Sequence, residues 1–322
     1  MNTPDLVGEC GYVERDFPDP FLPDRLWMTR VRQGSEICVK WLAYLLSSEE
    51  YKRKLKGVAT GTSGSMKNLS KDAVLSLPIP FPDSNEQRAI AAALSDVDAL
   101  LAKLDALIAK KRDLKQGAMQ QLLTGQTRLP GFSGEWEGKR LGEVAVPRKE
   151  RIDPRKARVQ AFCIELEHIE QGSGRLLGSS STGQDSSLKS VFRAGDVLFG
   201  KLRAYLRKYW LAGREGVCST EIWPLVTNRS RVCPEFLFQL VMTDGFIEAA
   251  SSAYGTHMPR SDWNVMKNYE VPLPNLGEQT AIAAVLSDMD TETAALETRR
   301  DKTRALKLGM MQELLTGSIR LV

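Results

Sequence analysis

One long stretch of this chain is written twice. EQRAIAAALSDVD begins at Glu86 and EQTAIAAVLSDMD at Glu278; at the same offset GAMQQLLTGQTRL from Gly117 returns as GMMQELLTGSIRL from Gly309, so the run between is ungapped. Upstream the likeness continues more weakly. LPIP from Leu77 matches VPLP from Val271, Gly61-Thr62 matches Gly255-Thr256, and WLAYLL from Trp41 matches FLFQLV from Phe236, with small insertions between them. A period of roughly 190 residues is far too long for a solenoid, whose repeats run about 20 to 50, and marks a duplicated domain plus helix. The order this dictates is globular, helix, globular, helix.

The repeated element reads as helix throughout. Asp83 with Glu86 three residues on, and Asn275 with Glu278, have the spacing of a capping box, in which a short polar side chain and a Glu satisfy the first free amides. Pro80, Pro82, Pro272 and Pro274 keep the preceding chain extended, and Gly125 and Gly317 suit a left-handed C-terminal cap. Between these marks Ile90, Leu94, Val97, Leu101, Leu104 and Ile108 recur at steps of four and three, the spacing of a coiled-coil seam. Ile282, Leu286, Met289 and Leu296 hold the corresponding stripe of the second copy, interrupted by Thr293, Arg300 and Thr303, which makes it the more polar partner. About 40 residues at roughly 1.5 Å each give a rod on the order of 60 Å. A stripe this long cannot bury itself on one small domain, so the two copies are expected to pack on each other.

Composition fits this layout. At 322 residues, with 42% hydrophobic and 26% charged residues, the chain is in the range of two soluble globular domains with real cores. No apolar run approaches the roughly 20 residues that cross a bilayer, and the first residues lack the basic and apolar regions of a signal peptide, so a cytoplasmic location and no membrane partner are expected. The five cysteines, Cys10, Cys38, Cys163, Cys218 and Cys233, are scattered with no CxxC pair, which argues for reduced thiols and against a zinc site. The net charge of +4 names no partner.

The segment from about Trp136 to Pro274 is a complete α+β unit, with β-like runs AFCIEL, SVFRAGDVLFG and EIWPLV and a helical stretch PEFLFQLVMTDGFIEAAS. Its most distinctive run is GKLRAYLRKYWLAGR, Gly200 to Arg214. It holds Lys201, Arg203, Arg207, Lys208 and Arg214 with no acidic residue and interleaves Tyr205, Tyr209 and Trp210. Cations there could neutralise phosphates while Arg and aromatic groups reach bases. Composition alone is equally that of a solvated strand edge. The loop AYGTHMPRSDW supplies Thr256, His257, Arg260 and Ser261, and its counterpart ATGTSGSMKNLS supplies Ser65, Lys67 and Asn68. Such loops present amides and small polar donors to phosphates and base edges, and they are also ordinary turn chemistry.

Catalytic constellations are absent from the pattern. The two histidines, His168 and His257, are too few for a histidine-rich metal site, and neither HExxH, GxxxxGK[ST] nor GxSxG occurs. His168 reads as a hydrogen-bonding histidine, and Cys38 and Cys233, at matching places in the repeat, as small buried hydrophobes.

These residues carry a family likeness. The two copies of the EQ-AIAA-LSD helix, their LLTG-RL ends, the preceding LPIP and VPLP segments, the block GDVLFGKLRAYLRKYWLAG, and the CSTEIW and YGTHMPRSDW segments resemble the specificity subunits of type I restriction-modification systems. The resemblance implies an α+β fold of two target-recognition domains separated by two long antiparallel helices that form a coiled coil with pseudo-twofold symmetry. It places a first recognition domain at 1–82, a helical spacer at 83–130, a second recognition domain at 131–274 and a second spacer at 275–322.

It implies a non-catalytic reader of double-stranded DNA. Each recognition domain reads one half of a bipartite site, helix length sets the gap, and methyltransferase (M) and restriction (R) subunits dock along the helices. No cofactor is expected on this chain; S-adenosylmethionine, ATP and Mg belong to the partners. Lys201, Arg203, Arg207, His257 and Arg260 are then expected on bases, Lys208 and Arg214 on phosphates, and Tyr205, Thr256, Ser261, Ser65, Lys67 and Asn68 at the same face.

One departure is large. The repeat places Met1 opposite the GDVLFG strand, so the first recognition domain lacks roughly its first 60 residues and cannot cover its core unaided. Truncation, a late start codon, or a second specificity polypeptide that completes the domain each account for this. The rival reading is a coiled-coil scaffold that gathers partner subunits without reading DNA.

Overall fold

The structure, a computed structural model, describes residues 6–15, 21–23, 26–61, 67–183, 187–252 and 258–321. The chain divides into two units, the first made of residues 1–109 with 294–322 and the second of residues 110–293. Among the described residues no helix is long and apolar enough to cross a membrane.

The first unit contains α1 (Val39–Ser47), α2 (Glu49–Val58), α3 (Lys71–Leu75) and the opening part of α4 (Ser84–Leu122). Among its described residues the β pairing is a single bridge between Thr60 and Asn68. Trp41 and Leu45 of α1 and Tyr51 of α2 pack with Ile90, Ala91 and Leu94 of α4 and with Met311, Leu314 and Leu315 of the last helix, giving this unit a small core of its own. Each large apolar side chain buried there stabilises by about 1.5–3 kcal/mol.

The second unit carries the sheets. In chain order it has β1 (Glu137–Arg140), α5 (Leu141–Val144), β2 (Ala145–Pro147), β3 (Arg151–Ile152), β4 (Cys163–Ile164), β5 (Lys189–Phe192), β6 (Val197–Gly200), β7 (Tyr209–Leu211), β8 (Gly216–Ser219) and β9 (Ile222–Thr227). Then come α6 (Pro234–Val241), α7 (Asp244–Ser251), α8 (Trp263–Met266), β10 (Glu270–Leu273) and the first part of α9 (Leu276–Thr316). One sheet runs β2-β9-β6-β7, a second β3-β5-β8-β4, and β1 pairs with β10 alone.

β6 is the hub of the first sheet. It hydrogen-bonds antiparallel to β7 on one side and β9 on the other. All four of its residues are buried. Alternation along the strand sends Val197 and Phe199 into the core against α6 and α7, and Leu198 into a second core with Ile164, Phe192, Cys218 and Ile222. This two-sided burial explains the unbroken apolar run VLFG. Phe199 meets the edge of Phe246 at 5.3 Å and stacks on Trp223 at 6.3 Å.

Two expectations need correction. The stretch from Pro234 breaks into α6 and α7, because Thr243 caps a new helix by accepting the Phe246 N–H. Of AFCIEL only Cys163–Ile164 pairs as strand; Leu166–His168 turns as a short 3₁₀ segment in which His168 Nδ1 accepts the Glu165 N–H at 3.0 Å.

The long helices lie antiparallel within each unit. In the first, Asp98 meets Lys307 at 2.6 Å and Asp105 meets Arg300 at 3.7 Å. In the second, Lys111 meets Glu292 at 2.5 Å and Lys115 meets Asp290 at 2.7 Å. Ile90, Leu94, Leu104, Ile108, Ile282 and Leu286 are buried, while Val97, Leu101, Met289 and Leu296 are partly so.

The helix starts differ from a capping box. Asp83 accepts the Asn85 and Glu86 N–H groups and Asn275 accepts the Glu278 N–H, as the spacing predicts. The glutamates instead turn to arginines beyond the far ends of the long helices. Arg320 grips Glu86 through Nε at 2.5 Å and through Nη2, and Arg128 grips Glu278 at 2.5 and 2.6 Å. Beside them Gln87 and Gln279 are wholly buried. Gln87 accepts the Cys38 N–H at 2.8 Å and donates to the Pro82 carbonyl at 2.9 Å; Gln279 accepts the Cys233 N–H at 3.0 Å and donates to the Pro274 carbonyl at 2.9 Å.

The same clasp is therefore built twice, and the repeated EQ and TG-x-x-RL residues are its parts. Gly125, at φ +73°, turns the chain toward Arg128 with the Trp136 ring 3.3 Å from where a Cβ would stand, so a side chain there is strained and crowded.

Candidate nucleic-acid interface

The basic strip occupies the connection from β6 to β7. β6 ends at Gly200, where a Cβ would stand 2.8 Å from Leu166 Cδ2 and 3.2 Å from the Lys208 carbonyl, so the return of the chain requires glycine. A 3₁₀ turn, Ala204–Leu206, then projects from the sheet, flanked by Arg203 at φ +52° and Arg207 at φ +50°. Both are left-handed conformations that cost an L-residue roughly 1–2 kcal/mol.

The chain after the His257 loop holds this turn in place. Arg203 N–H donates to the Pro259 carbonyl at 2.8 Å, Ser261 N–H to the Lys201 carbonyl at 2.8 Å, and Leu202 bridges Arg260. Two stretches far apart in sequence, 201–207 and 259–261, thus form one surface.

On that surface Arg203, Tyr205 and Arg260 are exposed and Lys201 is half-buried. Arg260 lies on Glu221, which accepts from its Nε at 2.9 and 3.1 Å and raises the guanidinium further above its ordinary pKa through that hydrogen bond. The other named residues have different situations. Arg207 is bound to Asp244 and donates to the Met242 carbonyl at 3.3 Å, Lys208 donates to the Ile169 carbonyl, and Ser261 is buried with its hydroxyl on the Ala250 carbonyl at 2.6 Å. These three side chains brace the surface from within.

Arg214 belongs to the turn after β7 and lies 4.4 Å over the Phe162 ring. In the first unit Lys67 is half-buried and Asn68 exposed beside the Thr60 bridge, whereas Ser65, Thr256 and His257 fall outside the described residues. Glu221 and Asp244 are the acidic neighbours of the strip that sequence reasoning misses. The strip carries no acid of its own, and the fold brings these two in from β8–β9 and α7. Tyr209, buried behind the strip with its hydroxyl on the Gly172 carbonyl at 3.2 Å, is pushed up to about 12 by burial, so it stays a neutral donor.

Chemically the surface presents guanidinium forks and an aromatic ring on a braced turn. Arg forks suit two-point contacts with guanine O6 and N7 or with phosphate oxygens. Among the described residues no group of three or more His, Cys, Asp or Glu could hold a metal ion.

Comparison with known proteins agrees with the fold. The profile of the family described as "Type I restriction modification DNA specificity domain" matches residues 22–110 and 133–304, well over half of the chain. The chain belongs to that family.

Among the members it resembles, the EcoDI specificity subunit of Escherichia coli is 26% identical over 66% of this chain and 46% of its own length. The MjaVIII specificity subunit of Methanocaldococcus jannaschii is 25% identical over 86% of this chain and 70% of its own. The crystal structure of the type I restriction-modification S subunit from M. genitalium shares the fold, with a TM-score of 0.51 at 17% identity, covering 87% of this chain and 73% of that one. The chain therefore spans less than half the length of the E. coli relative. The family profile covers a shorter run in the first half of the chain, 22–110, than in the second, 133–304.

Proposed function

We propose that this chain is a non-catalytic DNA-specificity subunit of a type I restriction-modification complex. In this reading its second unit reads one half of a bipartite site on double-stranded DNA. The observation that carries the reading is the joined surface of 201–207 and 259–261, where Arg203, Tyr205 and Arg260 face solvent on a turn that Arg207, Lys208 and Ser261 brace. Arg203, Lys201 and Arg260 contact bases, with Glu221 setting the angle of Arg260. Arg214, Lys67 and Asn68 take phosphate, and the loops carrying Ser65, Thr256 and His257 complete the two faces.

The long helices act as a coiled coil that sets the spacing of the half-sites and docks the methyltransferase and restriction subunits. Those partners bring S-adenosylmethionine, ATP and Mg. The first unit contributes the loop that carries Lys67 and Asn68.

Mobility shifts on duplex DNA, with the modification subunits alone and with this chain added, test the reading. A specificity subunit adds sequence preference, and removing a phosphate contact such as Arg214 weakens all sequences alike and flattens the salt dependence. A complex whose preference does not change on adding the chain contradicts it and leaves the scaffold reading.

A further inference from the structure

In the second unit a basic arm stands outside the surface built from 201–207 and 259–261. The run Arg148-Lys149-Glu150-Arg151-Ile152-Asp153-Pro154-Arg155-Lys156-Ala157-Arg158 passes from β2 of the first sheet through β3 of the second and beyond it, with six Lys and Arg against two acids. Its root is fixed. Arg148 grips buried Asp196 through Nε and Nη2 at 2.9 Å each, its N–H donates to the Pro224 carbonyl at 2.8 Å, and the Glu150 carbonyl accepts the Val191 N–H at 3.0 Å. The far end is fixed as well. The Gln160 N–H donates to Oγ1 of buried Thr182 at 2.9 Å, and the Thr182 N–H to the Gln160 carbonyl at 3.0 Å. Between these anchors the Asp153 carbonyl closes a turn, accepting from the Lys156 and Ala157 N–H groups at 3.0 and 2.9 Å.

Both acids of the arm are taken up by arginines. Asp153 accepts from Arg155 Nε and Nη2 at 2.9 Å each, and Glu150 accepts from Arg193 at 3.2 Å. Arg151, Lys156 and Arg158 are exposed, and among the described residues none of the three sits in a salt bridge. The β ladder places them. Ile152 opposes Lys189 and Lys189 opposes Ser219, so the turn leaves the second sheet at the end where β8 passes to β9. At that end the Glu221 carbonyl accepts the Lys201 N–H at 2.9 Å and its carboxylate holds Arg260. Two strand spacings of about 4.8 Å put Ile152 roughly 10 Å from Ser219, against about 34 Å for one turn of duplex DNA. A duplex seated on Arg203 and Arg260 and running along this end of the unit meets the arm within one helical turn.

We propose that Arg151, Lys156 and Arg158 form a second contact with the double-stranded DNA that the second unit reads, a clamp on the sugar-phosphate backbone beside the half-site. The proposal rests on reading that unit as a DNA-binding one. Guanidinium forks take two phosphate oxygens at once, and the Lys156 ammonium acts as a point charge. In the free chain these like charges repel one another, and a polyanion laid along them relieves the repulsion. Backbone contacts of this kind add affinity and fix register while carrying no sequence information.

The test is binding of duplex DNA by the complex of this chain with its modification subunits, measured over a range of salt. Wild type is compared with the triple variant Arg151→Gln, Lys156→Gln, Arg158→Gln; Arg148 and Arg155, which hold the arm together, are kept. The variant is expected to bind about tenfold or more weakly at about 0.15 M salt, by the same factor on specific and scrambled duplex. The slope of log affinity against log salt is expected to fall by about 2 to 3, since each phosphate contact contributes about 0.9. The sequence selected from randomised duplexes stays the same. An unchanged salt slope, a changed selected sequence, or normal DNA binding with weakened capture of the modification subunits overturns the proposal. In a wild-type complex with no sequence preference, the salt slope on scrambled duplex still decides the clamp, so base reading and the clamp fail separately.

Discussion

Arg203 and Arg207 hold left-handed backbone at either end of the turn that carries Tyr205. Non-glycine residues keep that conformation where the surrounding structure over-determines it, and such positions gather at functional surfaces. Arg207 has a bracing role through Asp244, while Arg203 projects outward. Glycine at 203 relieves the backbone and adds chain entropy, so Arg203→Gly is expected to leave the free energy of unfolding in urea within about 1 kcal/mol of wild type. The same variant is expected to lose about tenfold or more in affinity for the specific duplex, since a bidentate Arg–base contact is worth roughly 1–3 kcal/mol. A large fall in stability with unchanged binding would make Arg203 a structural residue. The basic character of this run was legible in the sequence. Which of its cations point outward was not, because that depends on Asp244, Glu221 and the Ile169 carbonyl, which the fold brings from other elements.

At the scale of elements, the duplicated clasp connects the helix starts to the rest of each unit. Gln279 has no exposed surface, and its amide ties the Cys233 N–H to the Pro274 and Arg231 carbonyls. Gln279→Ala leaves buried backbone groups unpaired and is expected to cost roughly 1–3 kcal/mol by denaturant unfolding, with Gln87→Ala behaving alike in the first unit.

Glu86 adds a pH dependence. The Arg320 guanidinium holds its carboxyl below the ordinary 4.5. A carboxyl with a lowered folded pKa contributes stability in full above its unfolded value and loses it as pH falls through the folded one. The wild type is therefore expected to lose thermal stability below about pH 4.5 more steeply than Glu86→Gln, when unfolding is followed from about pH 7 to about pH 3. Parallel curves would assign the acid response to other carboxylates.

Both long helices were legible from their periodicity and caps. The clasp was visible only as the repeated EQ and TG-x-x-RL letters, because helical periodicity assigns faces and says nothing of which arginine a buried glutamate will meet. The short strands were the least legible: β4 has only two residues, and its pairing with β8 is non-local.

Across the whole molecule, near-neutral charge and duplication mean different things in the two units. The net +4 does not show where the cations are presented: Arg203, Tyr205 and Arg260 lie exposed on one surface, with Arg260 paired to Glu221. The first unit repeats the clasp and has a small helical core of its own. On this account the second unit specifies bases through the surface that carries Arg203, Tyr205 and Arg260.

The most direct measurement is selection from randomised duplexes by the complex of this chain with its modification subunits, run for wild type and for Arg203→Ala and Arg260→Ala. The expected result is a defined half-site for wild type that each substitution relaxes at one or two adjacent positions. An identical selected sequence for all three proteins, or none for any, would contradict the account.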